Sequence, residues 1–275
     1  MRADTFGESL LSRKWHKYAA VGRITVSSQL AYLADFFIRT LFLVVIIYIF
    51  MQLWKVTYEG VGETTIAGYA YRDLIWYLIF AEAIILASPR VNLTVEEEVK
   101  SGAVAYRLTR PLSYIGYHYV AYLGEAALRL AVNLIVGGLL GVLAFGVPSF
   151  GWGWGAFAAM LLGALTVNFL LRMALSLCAF WVEETQGLVF VYDKLLFTIG
   201  GMMLPLELFP DLLRRVCAWL PFQTVVYFPS KTIVAFDAAQ FPQMLLLQWV
   251  WVIPLAALVG WIYAKGVKKL NVNGG

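Results

Sequence analysis

Apolar residues fall into long runs separated by short polar segments, and the runs are long enough to cross a membrane as helices. The hydrocarbon core of a bilayer is about 30 Å thick, so a helical span needs roughly 20 mostly apolar residues. Windows of that kind predict six spans, at residues 36–54, 69–91, 119–147, 156–182, 187–208 and 244–264. The second window is the weakest because it contains Glu82, although residues 74–80 are continuously apolar.

The segment before the first span, residues 8–33, has a different pattern. Its apolar residues, including Leu10, Trp15 and Val26, recur at roughly helical spacing beside basic residues such as Arg13. This pattern predicts an amphipathic helix at the membrane interface, with an ordinary soluble cap helix as the alternative. Residues 1–17 are too charged and too poorly apolar for a signal peptide.

Basic residues are distributed unevenly between the two sides of the predicted bundle. With six spans, both termini share a side with the loop between the second and third spans. That side holds Arg2, Arg13, Lys14, Lys17, Arg23, Arg90, Lys100, Arg107, Arg110, Lys265, Lys268 and Lys269, and the other holds Lys55, Arg72, Arg214, Arg215 and Lys231. Because positive residues are retained in the cytoplasm, both termini are predicted to be cytoplasmic.

The loop before the last span, residues 205–243, is long and strongly apolar but interrupted by proline. Its prolines are Pro205, Pro210, Pro221, Pro229 and Pro242. Proline restricts helix continuation, so a full span is not expected there. One or two short helices that dip into the outer leaflet are predicted instead.

Composition agrees with a membrane protein and excludes other classes. Hydrophobic residues make up 61% of the chain and charged residues 14%, which leaves too little polar surface for a water-soluble globule. Cys178 and Cys217 are the only cysteines, so no disulfide framework is implied. The basic residues are dispersed and accompany no nucleic-acid-binding motif, so no nucleic-acid partner is expected.

The loop at residues 92–113 carries the most informative polar pattern. It predicts a helix that ends near Gly102, a short amphipathic helix in which Val104 and Leu108 share a face, and a new helix primed by Pro111. A short charged helix held between two spans can pass motion from a soluble partner into the membrane. The alternative is a solvated turn with a charge run.

This loop resembles the cytoplasmic signature of ABC-2 type permeases, especially the viologen-exporter-like branch. The matching residues are Glu97, Val99-Lys100-Ser101-Gly102, Ala105-Tyr106-Arg107-Leu108 and Arg110-Pro111-Leu112. A second match, to the family's outer re-entrant segment, comprises Gly200-Gly201, Pro205-Leu206, Leu208-Phe209-Pro210, Leu220-Pro221-Phe222 and Pro229. Ala103 departs from the wider family, in which many members have Thr followed by an acidic residue.

The resemblance implies an all-α, six-span permease of the ABC-2 (type V exporter) fold, in a single domain over residues 1–275 of a bacterial inner-membrane protein. It implies an exporter of an amphiphilic or cationic small molecule or a lipid-like substrate. The implied residues for coupling to an ATPase are Glu96, Glu97, Glu98, Lys100, Gly102, Tyr106, Arg107, Arg110 and Pro111. The implied outer gate comprises Pro205, Leu208, Phe209, Pro210, Pro221 and Phe222.

The chain has no G-x-x-x-x-G-K-[ST] phosphate loop, so it is not expected to hydrolyse ATP. The resemblance implies an ABC ATPase as a separate subunit, which would bind ATP and Mg, and a second permease chain, identical or paralogous. No cofactor is expected on this chain. His16 and His118 stand alone, without a cluster at metal-ligand spacing, so no metal site is expected either.

Charged residues within the predicted spans are expensive in a bilayer and need partners, water or a function. Glu125 and Arg129 lie four apart and are predicted to pair. Arg39, Glu82 and Asp193 are candidates to line a substrate pathway, or else to form interhelical pairs. Two other functions stay open: a membrane-embedded lipid-modifying enzyme, with Glu82, Asp193 or Glu125 as acid or base, and a secondary transporter without an ATPase.

Overall fold

The protein is a bundle of long helices. In the computed structural model the described residues are 16–28, 33–109 and 112–273, and side chains are described throughout these ranges except at 33–39 and 270–273. The helices are α1 (residues 16–28), α2 (Leu33–Val61), α3 (Tyr71–Leu86), α4 (Val91–Lys100), α5 (Ala103–Leu108), α6 (Tyr114–Phe145), α7 (Gly153–Leu177), α8 (Gln186–Thr198), α9 (Asp211–Ala218), α10 (Tyr227–Val234) and α11 (Phe241–Asn273).

Short elements join these helices. An antiparallel hairpin of β1 (Thr65–Ile66) and β2 (Tyr69–Ala70) connects α2 to α3. Three 3-10 turns follow later, at Cys178–Phe180, Leu206–Leu208 and Pro221–Thr224.

Five segments of the described chain are long and apolar enough to cross a membrane. They are Thr40–Val61, Tyr71–Lys100, Gly153–Phe180, Tyr114–Phe145 and Phe241–Lys269. In the most apolar 18 residues of each segment, 78% and 61% of the residues are buried for the segments built on α3 and α7, against 22–28% for the other three. The helices α3 and α7 therefore form the centre of the bundle, and α2, α6 and α11 present apolar faces outward, as a bilayer solvent requires.

Close packing between α3 and α6 depends on small residues. A Cβ atom at Gly141 would lie 2.6 Å from the Trp76 ring, and one at Gly137 would lie 2.8 Å from the Ile79 side chain. Glycines spaced four apart leave a shallow groove along one side of α6, and large side chains of α3 pack into that groove. This fit explains why Trp76 is almost completely buried.

The fifth predicted span, residues 187–208, is not a single helix. Its helical part is α8, Gln186–Thr198, which has 13 residues and is shorter than a full crossing. Gly201 has a φ of +80°, a conformation that favours glycine, and its backbone lies against Tyr77 and Tyr227. Hydropathy alone does not reveal this break because the residues on both sides of it are apolar.

The chain after α8 returns to the middle of the bundle. The helix α10 contacts both α3 and α7. Near its end, the Ile233 carbonyl lies against Gly153 at the start of α7, while Gln248, which contacts Gly163, donates to the Thr224 carbonyl at 2.8 Å. Ten helical residues separate these two levels of α7, so the segment from Thr224 to Ile233 runs about 15 Å along it.

The helix α1 lies within the predicted interfacial helix at residues 8–33. It packs on the first turns of α6, where Gly22 contacts Val120 and Gly124, and Tyr18 contacts Gly116. The side of α1 that carries Arg23 and Ile24 is exposed. Residues 8–15 and 29–32 of that prediction lie outside the described residues.

Candidate coupling site at the α4–α5 corner

A tight corner joins α4 to α5 at one end of the bundle. The backbone N–H of Ser101 donates to the Glu97 carbonyl at 2.9 Å, and that of Gly102 donates to the Val99 carbonyl at 3.2 Å. Gly102 has a φ of +73°, so the chain leaves α4 in the left-handed conformation that commonly ends a helix. The predicted order of helix, glycine break and short helix matches this geometry.

Glu98 is buried at the centre of a polar cluster that connects α4, α5 and α6. Its carboxylate accepts from the Tyr114 hydroxyl at 2.8 Å and lies 3.1 Å from His118 Nε2, while its other oxygen is 2.6 Å from Arg107 Nη2. Tyr114 in turn stacks on Tyr263 of α11, with ring centroids 5.6 Å apart. Glu98, which the sequence placed among the coupling residues, therefore binds α4 to α5 and α6 inside the protein.

Arg107 on α5 has partners on two sides. Its guanidinium lies 4.6 Å from the Tyr117 ring centroid and pairs with Glu98. Burial lowers the pKa of Arg107, but Tyr117 and Glu98 outweigh that effect and hold the pKa above its usual value. The arginine thus stays charged and fixes α5 against the start of α6.

Glu96 is buried on another side of α4 and binds the segment before α8. One carboxylate oxygen accepts from the backbone N–H of Thr185 at 2.9 Å and from its hydroxyl at 2.7 Å, and the other accepts from Lys100 Nζ at 2.7 Å. Thr185 precedes the first residue of α8 and is fully buried. An acidic side chain at that place satisfies a backbone donor at a helix start. We call these contacts the α4–α8 link.

Other members of the predicted coupling set face outward. Glu97 is exposed, Tyr106 is 66% exposed, and the Lys100 side chain is 53% exposed. Val104 and Leu108 lie four residues apart on one side of α5, and of the two Val104 is fully buried whereas Leu108 is 39% exposed. Arg110 and Pro111 lie outside the described residues.

The structure describes the side chains of two of the three predicted pathway residues. The side chain of Arg39 lies outside the described part of the chain. Glu82 is buried in α3 at 1% exposure, and Asp193 on α8 is half exposed and pairs with Arg172 of α7 at 2.6 Å. The predicted pair of Glu125 and Arg129 is present.

A buried polar junction that the sequence did not indicate lies beside Arg172. Asn168 of α7 donates to the Ser88 hydroxyl at 2.7 Å and to the Tyr122 hydroxyl at 3.0 Å, and it accepts from the Tyr192 hydroxyl at 2.7 Å. The junction joins α6, α7 and α8 to the end of α3. Nothing in the spacing of these four residues connects them, although a buried Asn within an apolar span is itself a signal.

The predicted gate residues differ in burial, and their sequence segment also holds an ion pair. Pro205 and Pro221 are buried, Leu208, Phe209 and Phe222 are partly buried, and Pro210 is exposed. Glu207, between Pro205 and Leu208 in the sequence, is 2.7 Å from Lys231 Nζ and accepts from the Tyr227 hydroxyl at 2.6 Å. Sequence reasoning missed Glu207, although an acid inside a predicted span was a usable signal.

No group of three or more His, Cys, Asp or Glu side chains suited to a metal ion occurs within residues 16–28, 33–109 and 112–273. The three acids that the enzyme hypothesis needs lie in different environments. Glu125 and Asp193 form ion pairs with arginines, and Glu82 is buried in α3.

Span-length apolar helices around a buried centre, with a charged corner at one end, are the architecture of a multi-pass membrane protein. The family model for the ABC-2 family transporter protein matches residues 35–274, well over half of the chain. The chain therefore belongs to the ABC-2 transporter family. Searches among curated proteins and among solved structures gave no match.

Membership in this family settles the broad role of the chain. ABC-2 proteins are the membrane component of an ABC transporter and are not themselves catalytic. The family also implies an ABC ATPase as a partner.

Proposed function

We propose that this chain is the permease subunit of an ATP-driven exporter and that the α4–α5 corner is where the ATPase subunit engages it. The corner supports this role because its three successive glutamates lie in different environments. Glu96 and Glu98 are buried and bind α8 and α6, whereas Glu97 is exposed. The exposed surface at Glu97 is thus available to a partner, and buried hydrogen bonds connect α4 to α6 and to the start of α8.

Six crossings are part of the proposal, with both termini in the cytoplasm of a bacterial inner membrane. The fifth crossing in chain order consists of α8 followed by irregular chain up to residue 208, and the segment from residue 209 to 240 forms the outer re-entrant part. The 15 Å run of residues 224–233 beside α7, toward the start of that helix, supports this reading. The exposed apolar residues of α9, Leu212 at 76% and Val216 at 48%, suit the outer interface.

The exporter works with a second permease chain, identical or paralogous, and the viologen-exporter-like branch is the proposed place within the family. The substrate proposed from that branch is an amphiphilic or cationic small molecule or a lipid-like compound. The resemblance of residues 97–112 to that branch supports this part of the proposal.

The proposed engagement is tested by charge reversal at Glu97. The chain is co-expressed with a candidate ABC ATPase chosen from the reading frames beside its own gene, and the complex is captured through a tag on the ATPase. Glu97→Arg is compared with Glu63→Arg, which reverses an exposed acid in the loop between α2 and β1. We expect at least a tenfold weaker capture for Glu97→Arg and unchanged capture for Glu63→Arg.

Both variants are checked for membrane insertion and for thermal unfolding in detergent. Equal capture of the two variants, both properly inserted, would place the ATPase contact elsewhere. Failure of the tagged ATPase to capture the unmodified chain would contradict the proposal itself.

A further inference from the structure

A polar cleft of about 380 Å³ lies between the α3–α4 corner, α5 and α6. Three arginines from three different elements line it: Arg90, Arg107 and Arg129. Glu125 is the acid in its lining, and the aromatic rings of Tyr117 and Tyr122 form part of its wall. Positive side chains therefore outnumber negative ones around the opening.

The cleft lies at the depth where lipid headgroups are found. The helix α6 has 32 residues, so it is about 48 Å long, whereas the hydrocarbon core is about 30 Å thick. Its part from Leu130 to Phe145 contains no charged residue, and the charged residues Glu125 and Arg129 come just before it. The cleft therefore opens where the apolar part of α6 meets the membrane surface.

The three arginines differ in how their charges are already used. Arg107 pairs with Glu98 at 2.6 Å, and Arg129 pairs with Glu125. Arg90, in contrast, is exposed and forms no ion pair with any described residue. The guanidinium of Arg90, beside two arginines whose charges are already paired, fits a singly charged phosphate group.

An apolar surface leads away from this cleft into the membrane. Ile135, Leu139 and Leu143 are 68%, 58% and 75% exposed on α6. At 100° per residue, these positions share a face with Ala121 and Glu125 in the cleft. Leu93, at 40% exposure, adds an apolar edge to the opening. A free phosphate ion would make no use of this surface, whereas an acyl chain would lie along it.

We infer that this cleft binds the headgroup phosphate of an anionic phospholipid, with the acyl chains along the exposed face of α6. The inference needs only that the chain spans a membrane, and it does not depend on the proposed exporter mechanism. In the proposed orientation, the lipid belongs to the inner leaflet, where the anionic surface attracts basic clefts between helices.

The test uses the full chain in detergent micelles that contain equal amounts of phosphatidylglycerol and phosphatidylcholine, with bound lipid counted by native mass spectrometry. We expect preferential retention of phosphatidylglycerol. Arg90→Gln should weaken that retention about tenfold, as expected for the loss of a charge-assisted hydrogen bond, and Arg90→Lys should restore most of it. Because Arg90 is exposed and makes no ion pair with the part of the chain that the structure describes, its replacement should leave the fold intact.

The matched control is Arg215→Gln, which removes an exposed arginine from α9 at the opposite end of the bundle. It should leave retention unchanged. Equal retention of the two lipids, or equal loss in both Arg→Gln variants, would overturn the inference. Displacement of the lipid by millimolar inorganic phosphate would also overturn it, because the cleft would then be a site for a soluble anion.

Discussion

Replacing Glu96 by alanine breaks the α4–α8 link, and the effect can be estimated from the contacts. The Thr185 backbone N–H and hydroxyl both lose their acceptor in a place with no solvent exposure. Each unmatched buried donor costs about 1–3 kcal/mol. The lost ion pair adds at most about 1 kcal/mol, since the Lys100 side chain is 53% exposed. A water entering the space left by the side chain offsets part of the total, so about 2 kcal/mol is expected.

Hydrogen exchange reports this loss locally. A destabilisation of about 2 kcal/mol corresponds to roughly 30-fold faster exchange of the Thr185 amide, because 1.4 kcal/mol is a factor of ten. The measurement is mass spectrometry of the peptide that covers residues 181–189 in the detergent-solubilised chain. Glu96→Gln keeps an oxygen that can accept from Thr185, so its effect should be fivefold or less.

Glu97→Ala is the matched control, because it removes the next carboxylate along α4 from an exposed position. It should leave exchange at residues 181–189 unchanged. If Glu96→Ala and Glu97→Ala gave the same exchange rate there, Glu96 would not be the acceptor that holds the start of α8, and the α4–α8 link would be wrong.

Three further predictions concern packing, charge and backbone conformation. Gly141→Ala should lower the free energy of unfolding by about 1–3 kcal/mol through overpacking, while Gly138→Ala, where an added Cβ meets no atom within 4 Å, should not lower the thermal unfolding temperature. A double-mutant cycle with Glu207→Gln and Lys231→Met should give a coupling energy of about 1–3 kcal/mol by thermal unfolding, whereas additive effects would contradict the ion pair. Gly102→Ala should cost about 1–2 kcal/mol because of its positive φ, and Gly102→Asn should cost less in the same assay.

The long helices could be predicted from the sequence because the bilayer imposes a length and a composition on each. Five of the six predicted windows correspond to span-length helices, with α2 and α11 longer than predicted at both ends. The exception, residues 187–208, has the same apolar character but is divided by the turn at Gly200 and Gly201. An average over a window does not respond to one residue with a positive φ, so this break was not predictable from hydropathy.

The candidate site was predictable only in its position along the chain. The sequence located the charged corner, but it did not distinguish the three neighbouring glutamates from one another. Successive residues of a helix differ by 100° in direction, so each of the three meets a different environment. Which of them is buried depends on Thr185, Tyr114 and His118, which lie between 16 and 89 residues away in the sequence.

The two buried glutamates also determine how the corner can move. Glu98 binds α4 to α6, and Glu96 binds a different side of α4 to the start of α8. In the proposed coupling, a force on the exposed Glu97 that tilted α4 alone would break these buried hydrogen bonds, each of which costs about 1–3 kcal/mol. The proposal therefore favours a movement of α4 together with α6 and α8. The chain runs from the end of α8 to Gly201, which contacts Tyr77 and Tyr227, so such a movement would reach the opposite half of the bundle. Loss of Glu96 should uncouple α8 from the movement of α4, while α6 stays bound to α4 through Glu98.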